Sequence, residues 1–126
     1  MDHNRSTTIK EIFTAEVIAA NGSAYSDLFD VKQLAGNASL QLALTGTGTA
    51  KIEWVGSNDE DAVAAGFIKP NGASDLVTAF TVGDGPNSDG IAIYPFSIRL
   101  VSRMAIKITE TVGANSVTIT AILAVQ

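Results

Sequence analysis

The sequence has no cysteine, one histidine and few charged residues, and each shortage removes a class of function. Without cysteine there can be no disulfide framework, no thiolate zinc site and no cysteine nucleophile. The one histidine, His3, lies in a polar N-terminal segment, where a rigidly held catalytic imidazole is not expected. A Gly-x-Ser-x-Gly nucleophile motif is also missing. We therefore predict a non-enzymatic protein with no catalytic, cofactor-binding or metal-binding residues.

Positive charge is scarce as well. Eight Lys and Arg residues stand against thirteen Asp and Glu in 126 residues, giving a formal net charge of −5, and the basic residues are scattered. Nucleic-acid binding draws on clustered basic side chains, so no nucleic-acid partner is expected. The sequence has no apolar run long enough to span a bilayer, and Met1–Thr8 lacks the apolar core of a signal peptide. We expect neither a membrane contact nor secretion.

The apolar residues, 46% of the chain, recur with a period of two, which is typical of strands with one buried face. The clearest alternation runs from Ser102 to Gln126 and is broken by a glycine turn, which predicts a terminal β-hairpin. A second hairpin is predicted from Ser39 to Val55, around Gly46-Thr47-Gly48. Further strands are predicted at residues 8–20, 25–31, 75–82 and 91–94. Pro95 interrupts the last of these, which a proline can do only at a sheet edge, a bulge or a strand end.

Seven to nine short strands without long helices indicate one antiparallel architecture. We predict an all-β fold: an antiparallel two-sheet β-sandwich, jelly-roll-like, with an extended N-terminal arm. The arm is residues 1–8 and the single domain is residues 9–126. Residues 62–69 fit either a helical turn or a strand.

Alternate residues of a strand point to opposite faces of the sheet, so odd or even position (parity) separates a predicted core from the residues on the other face. Trp54 has the parity of Ile52 and is predicted to anchor the core, although stacking on a ligand is the alternative. The predicted core comprises Leu40, Leu42, Leu44, Ile52, Trp54, Phe80, Ile106, Ile108, Val117, Ile119 and Leu123. Some apolar residues are predicted on the opposite faces, where they would form a subunit contact or be ordinary exposed residues. They are Ala43, Val55, Val77, Ile122 and Ala124.

Two acidic loops have alternative interpretations. The loop from Asp84 to Gly90 offers oxygen ligands of the kind calcium prefers, but its spacing departs from an EF-hand, so a solvated turn is favoured. The cluster Asn58–Asp61 is interpreted in the same way. Glu53 with Asp59 or Asp61 would supply paired carboxylates for glycoside hydrolysis, a role that the sequence alone does not support.

Several segments of the sequence form a recognisable succession. They are the leucine-alternating strand, the Gly-Thr-Gly-Thr turn, the strand Ala50–Val55 followed by Ser57-Asn58-Asp59, Ile98-Arg99-Leu100, and the Thr-rich segments 105–111 and 115–123. In this succession, roughly residues 25–126 resemble small tailed-phage virion proteins of jelly-roll type. The resemblance implies a capsid decoration (cement) protein or another small head or tail component, assembled in the host cytoplasm and located in the virion.

The resemblance also implies partners. These are the major capsid protein or another virion protein, and further copies of the chain, with a trimer favoured. The arm Met1–Lys10 is a candidate tether that would add a strand to a neighbour's sheet edge. The alternative function is a carbohydrate- or ligand-binding β-sandwich module for host recognition, for which Tyr25 and Tyr94 are the candidate stacking residues.

Overall fold

The computed structural model describes residues 7–31, 36–59, 61–71, 75–98 and 101–126. Within them the alternating segments form nine strands, and a short 3₁₀ turn at Ala64–Gly66. The strands are β1 (Thr8–Ile18), β2 (Ser23–Tyr25), β3 (Phe29–Asp30), β4 (Asn37–Gly46), β5 (Ala50–Ser57), β6 (Val77–Phe80), β7 (Ile91–Ser97), β8 (Arg103–Glu110) and β9 (Val117–Val125).

The strands form two antiparallel sheets packed face to face, which confirms the predicted β-sandwich. The four-stranded sheet has the order β1-β9-β4-β7, and the five-stranded sheet has the order β2-β8-β5-β6, with β3 also paired to β8. The sequence neighbours β5 and β6 also pair with each other, whereas most successive strands lie in opposite sheets. This is the strand order of a jelly roll.

Both predicted hairpins are wrong in one respect. The strands are where the alternation puts them, but β4 and β5 lie in different sheets, and so do β8 and β9. The segments between them are therefore arches that cross from one sheet to the other. A buried face gives the same period of two whether the next strand lies beside it or opposite it, so alternation alone does not choose between a hairpin and an arch.

The predicted core is confirmed in full. All eleven predicted residues are buried between the sheets, and Trp54 is 3% exposed. The first strand is also confirmed, at Thr8–Ile18. The segment predicted as one strand at residues 25–31 is instead divided between β2 and β3, because Ser26 is buried and its Oγ accepts a hydrogen bond from Ile106 N at 2.9 Å.

Of the three positions predicted for Pro95, a sheet edge, a bulge or a strand end, the structure has the first, and β7 continues through it to Ser97. Pro95 pairs in register with Ser39 of β4, and β7 is an edge strand of its sheet. A proline is tolerated there because the outer side of an edge strand has no neighbour to receive an N–H.

The Glu110 carboxylate accepts backbone hydrogen bonds from several connections at one end of the sandwich. The Glu110 side chain is 1% exposed, and its Oε1 accepts hydrogen bonds from the backbone N–H groups of Asn21 at 3.0 Å and Gly113 at 2.8 Å. Its Oε2 accepts from Thr49 N at 3.0 Å and Val112 N at 3.1 Å. These backbone hydrogen bonds lower the pKa of the Glu110 carboxyl from 4.5 to about 2. One carboxylate thus joins the β1–β2 turn, the β4–β5 arch and the β8–β9 arch.

The predicted arm at residues 1–8 lies mostly outside the described residues, which begin at Thr7; Thr8 already belongs to β1. His3, Glu60, Arg99 and Leu100 also lie outside them. No helix in the described part of the chain is long and apolar enough to cross a membrane.

Candidate functional site

The sandwich has two outward surfaces, one on each sheet, and they differ in charge. On the five-stranded sheet, Lys69 Nζ lies 3.4 Å from Glu53 Oε2 and also pairs with the Asp75 carboxylate. Hydrogen bonding to Asp75 is the main cause that raises the pKa of Lys69. Nearby, Lys107 Nζ lies 5.5 Å from the centre of the Tyr25 ring. The charges on this surface are therefore largely paired within the chain.

Part of this charged surface is also covered. The segment around the 3₁₀ turn folds over it, so that Val55, Phe67 and Ala105 form a small second core. Val55 was predicted on an outward face, and it does lie opposite the main core, but this cover leaves it only 4% exposed. Val77, also predicted to point outward, packs instead against the main core.

The described residues leave the outward surface of the four-stranded sheet uncovered and almost without charge. We call it the outer face and define it by the side chains that alternate with the buried residues of β1, β9, β4 and β7. Within the described residues it carries one charged side chain, that of Glu11. Its members are Ile9, Glu11, Val17, Thr118, Thr120, Ile122, Ala124, Ser39, Gln41, Ala43, Thr45, Ile91, Ile93 and Pro95.

Large apolar side chains are concentrated on the outer face. Of the eight large hydrophobic residues that are exposed in the described part of the chain, four belong to it: Ile9 at 68%, Val17 at 64%, Ile91 at 46% and Ile93 at 61%. Isolated exposed apolar residues are ordinary, whereas a contiguous apolar surface with little charge is typical of protein–protein contacts. The outer face is therefore the candidate functional site.

The strand edges beside the outer face are poorly suited to bind an added strand. In β1 the register with β9 shifts twice, and Ala15 adopts a φ of 45° at the second shift. At the opposite edge, β7 contains Pro95. Bulges and prolines are the usual means by which edge strands avoid pairing with other chains. A partner would thus meet the face of the sheet rather than its edge.

The prediction that Met1–Lys10 is a tether is wrong for its last three residues. Thr8, Ile9 and Lys10 pair with Val125, Ala124 and Leu123 of their own chain, so they are already part of the sandwich. Residues 1–6 lie outside the described residues.

Side chains of the two acidic loops accept hydrogen bonds from groups of their own chain. Asp84 Oδ2 accepts hydrogen bonds from the backbone N–H and the hydroxyl of Thr81, at 2.9 and 3.0 Å, and Asp89 Oδ1 accepts from Ile91 N at 3.2 Å. In the second loop, Asn58 Oδ1 accepts from Ser102 N at 2.8 Å. In the described residues, no three acidic, histidine or cysteine side chains are grouped in a way that could hold a metal ion.

The structure places the candidate catalytic residue Glu53 beside lysines and the two candidate stacking tyrosines in different sheets. Glu53, considered as one of two paired carboxylates, is 7% exposed and faces Lys51 and Lys69. Tyr25 belongs to the five-stranded sheet, whereas Tyr94 belongs to the other sheet and packs edge-on against Phe80 at 6.1 Å. The two tyrosines therefore do not form one stacking platform.

Sequence reasoning found only part of the outer face. Ala43, Ile122 and Ala124 were identified by their parity, and they lie on it. Ile91 and Ile93 were missed because their neighbours Ala92 and Tyr94 are also apolar, so the alternation does not say which pair faces outward. Nothing in this segment of the sequence marks them as outward, and only their pairing with Ala43 and Gln41 of β4 does so.

No protein-family model and no curated protein matches the sequence. Among solved structures, the SPBc2 prophage-derived protein YomS superposes with a TM-score of 0.50 at 11% identity, covering 98% of this chain and 97% of that one. The periplasmic g-type lysozyme inhibitor PliG of Aeromonas hydrophila gives 0.49 at 12% identity, covering 100% and 91%. The VP2 subviral particle of infectious bursal disease virus gives 0.46 at 12%, covering 95% of this chain but 32% of that one. At 11% identity, the likeness to YomS shows a shared fold alone.

Proposed function

We propose that this chain is a non-enzymatic virion structural protein of a tailed phage. Its role would be that of a capsid decoration (cement) protein, or of another small head or tail component that binds neighbouring capsid subunits. The observation that carries the proposal is the outer face, a sheet surface that the described residues leave uncovered and on which they place four large exposed apolar side chains and one charge. Such a surface is suited to contact with protein rather than with nucleic acid or solvent.

The fold supports the same role. Double-sheet jelly rolls are common in viral capsid domains, and the chain shares its fold with the prophage-derived protein YomS. Jelly rolls also occur in lectins, but the two candidate stacking residues, Tyr25 and Tyr94, lie in different sheets. The geometry thus favours the virion role over the carbohydrate-binding alternative.

The end of the sandwich that contains Glu110 suits a subunit that must stay rigid in a large assembly. Glu110 holds three connections together through four backbone hydrogen bonds. A rigid subunit loses little conformational entropy on binding, and many copies on one particle make weak individual contacts sufficient.

Co-sedimentation with capsids of the parent phage tests this proposal. The purified chain is mixed with unexpanded and with expanded capsids and centrifuged, with a glycan array run on the same protein. We expect saturable binding at a fixed number of copies per capsid and no specific glycan signal. Protein that stays in the supernatant with both kinds of capsid would contradict the proposal, and specific glycan binding would favour the host-recognition alternative.

A further inference from the structure

We propose that the outer face is an interface between two copies of this chain, packed sheet against sheet. This pairing concerns the purified protein alone, and a capsid subunit that binds the outer face would have to displace the second copy. Three features of the structure lead to this proposal: the distribution of charge, the area of the face, and the state of the sheet edges.

Charge distribution favours a second copy as the occupant. In a two-fold contact the same patch lies on both sides, so any excess of one charge on the patch meets itself. The chain carries a net charge of −5, yet among the described residues the one charged side chain on the outer face is that of Glu11, which accepts a hydrogen bond from the Thr14 hydroxyl. The other acidic residues that the structure describes lie elsewhere. An acidic chain can therefore bring two copies of this face together without strong repulsion, which a charged patch would not allow.

The area is sufficient for a reversible dimer. Four strands about 4.8 Å apart, crossed by four rows of outward side chains about 6.8 Å apart, give a face of roughly 500 Å². Two such faces bury roughly 1,000 Å², which is near the lower limit for a specific interface and well below that of permanent dimers. We therefore expect dissociation on dilution.

The geometry of the face fixes the mode of contact. The β7 edge is interrupted by Pro95 and the β1 edge is bulged at Ala15, so joining the sheets edge to edge is disfavoured. The central strand β9 presents Thr118, Thr120, Ile122 and Ala124, which are of small to medium size. Sheets that pack face to face lie about 10 Å apart. A face that packs on its own copy closes as a pair, so we favour two copies over a trimer.

Sedimentation equilibrium of the full chain over a range of concentrations tests the inference, with two matched variants. Ile93→Lys places a charge on the outer face, on an edge strand where lysine is well tolerated. Ile68→Lys makes the same change at a residue of similar exposure, 72% against 61%, outside the outer face. Circular dichroism confirms that each variant is folded, and Ile9→Lys on the same face replaces Ile93→Lys if that variant does not fold.

We expect the wild type to approach twice the chain mass of 13.1 kDa as concentration rises. Ile93→Lys should weaken association at least about tenfold, because it buries a charge against its own copy, whereas Ile68→Lys should leave it unchanged. The wild-type association should also persist at high salt, since no ion pairs are needed for it. A monomer at all concentrations, or an oligomer that Ile93→Lys leaves intact, would overturn the proposal.

Discussion

Replacing Glu110 with alanine should lower the melting temperature by on the order of 10 °C. The substitution removes a buried carboxylate and leaves four backbone N–H groups, from Asn21, Thr49, Val112 and Gly113, without their acceptor. Unsatisfied buried donors are costly, and here they belong to three separate connections at one end of the sandwich. Thermal unfolding followed by circular dichroism measures the loss.

Glu110→Gln is the matched control, because it keeps the size of the side chain and one acceptor oxygen but removes the charge. It should lose less stability than Glu110→Ala. A melting temperature within about 2 °C of the wild type for Glu110→Ala would show that the carboxylate does not hold the three connections.

The same carboxylate should make stability depend on acidity. Its pKa is lowered in the folded chain from 4.5 to about 2, so folding favours the ionised form. The stabilisation is therefore fully present above pH 4.5 and is lost as the pH falls from there through about 2. The melting temperature of the wild type should fall more steeply over this window than that of Glu110→Gln. Parallel curves for the two proteins would contradict the assignment.

Replacing Trp54 with alanine should reduce the free energy of unfolding by about 3–5 kcal/mol. The side chain is 3% exposed and packs in the main core from β5, opposite Ile106 of β8. Its removal leaves a large cavity in a domain whose total stability is expected to be only about 5–15 kcal/mol. Urea unfolding followed by circular dichroism is the suitable measurement, because this is the one tryptophan of the chain and its fluorescence is lost in the variant.

Trp54→Phe serves as the control, since it keeps an aromatic ring in the core and should cost clearly less. The comparison also separates the two roles considered for this residue. A ligand-stacking tryptophan at the surface would cost little stability when truncated. A loss below about 1 kcal/mol for Trp54→Ala would therefore contradict its place in the core.

The sequence predicts the strands and the core well because burial imposes a local rule. Leu40, Leu42 and Leu44 alternate with more exposed residues, and the period of two is visible without knowledge of the rest of the chain. The pairing of strands has no such signal. A turn at Gly46–Gly48 serves equally to return a strand beside its neighbour or to carry it to the opposite sheet, so the arches were predicted as hairpins.

Glu110 shows why the polar interior was not predicted. In the sequence it stands at the end of an alternating strand and looks like any solvated glutamate. Its partners Asn21 and Thr49 lie 89 and 61 positions away along the chain, and their hydrogen bonds exist only once both sheets have formed. The outer face was found only in part for a similar reason, because Ile93 is recognised as outward only from its pairing with Gln41 of β4.

Quantitative mass spectrometry of purified phage particles determines whether this chain is a structural part of a virion. We expect the chain to remain with the particles through density-gradient purification, at a copy number in fixed proportion to a capsid or tail subunit. Recovery of the chain only in the cleared lysate, with none on the intact particles, would contradict the virion role.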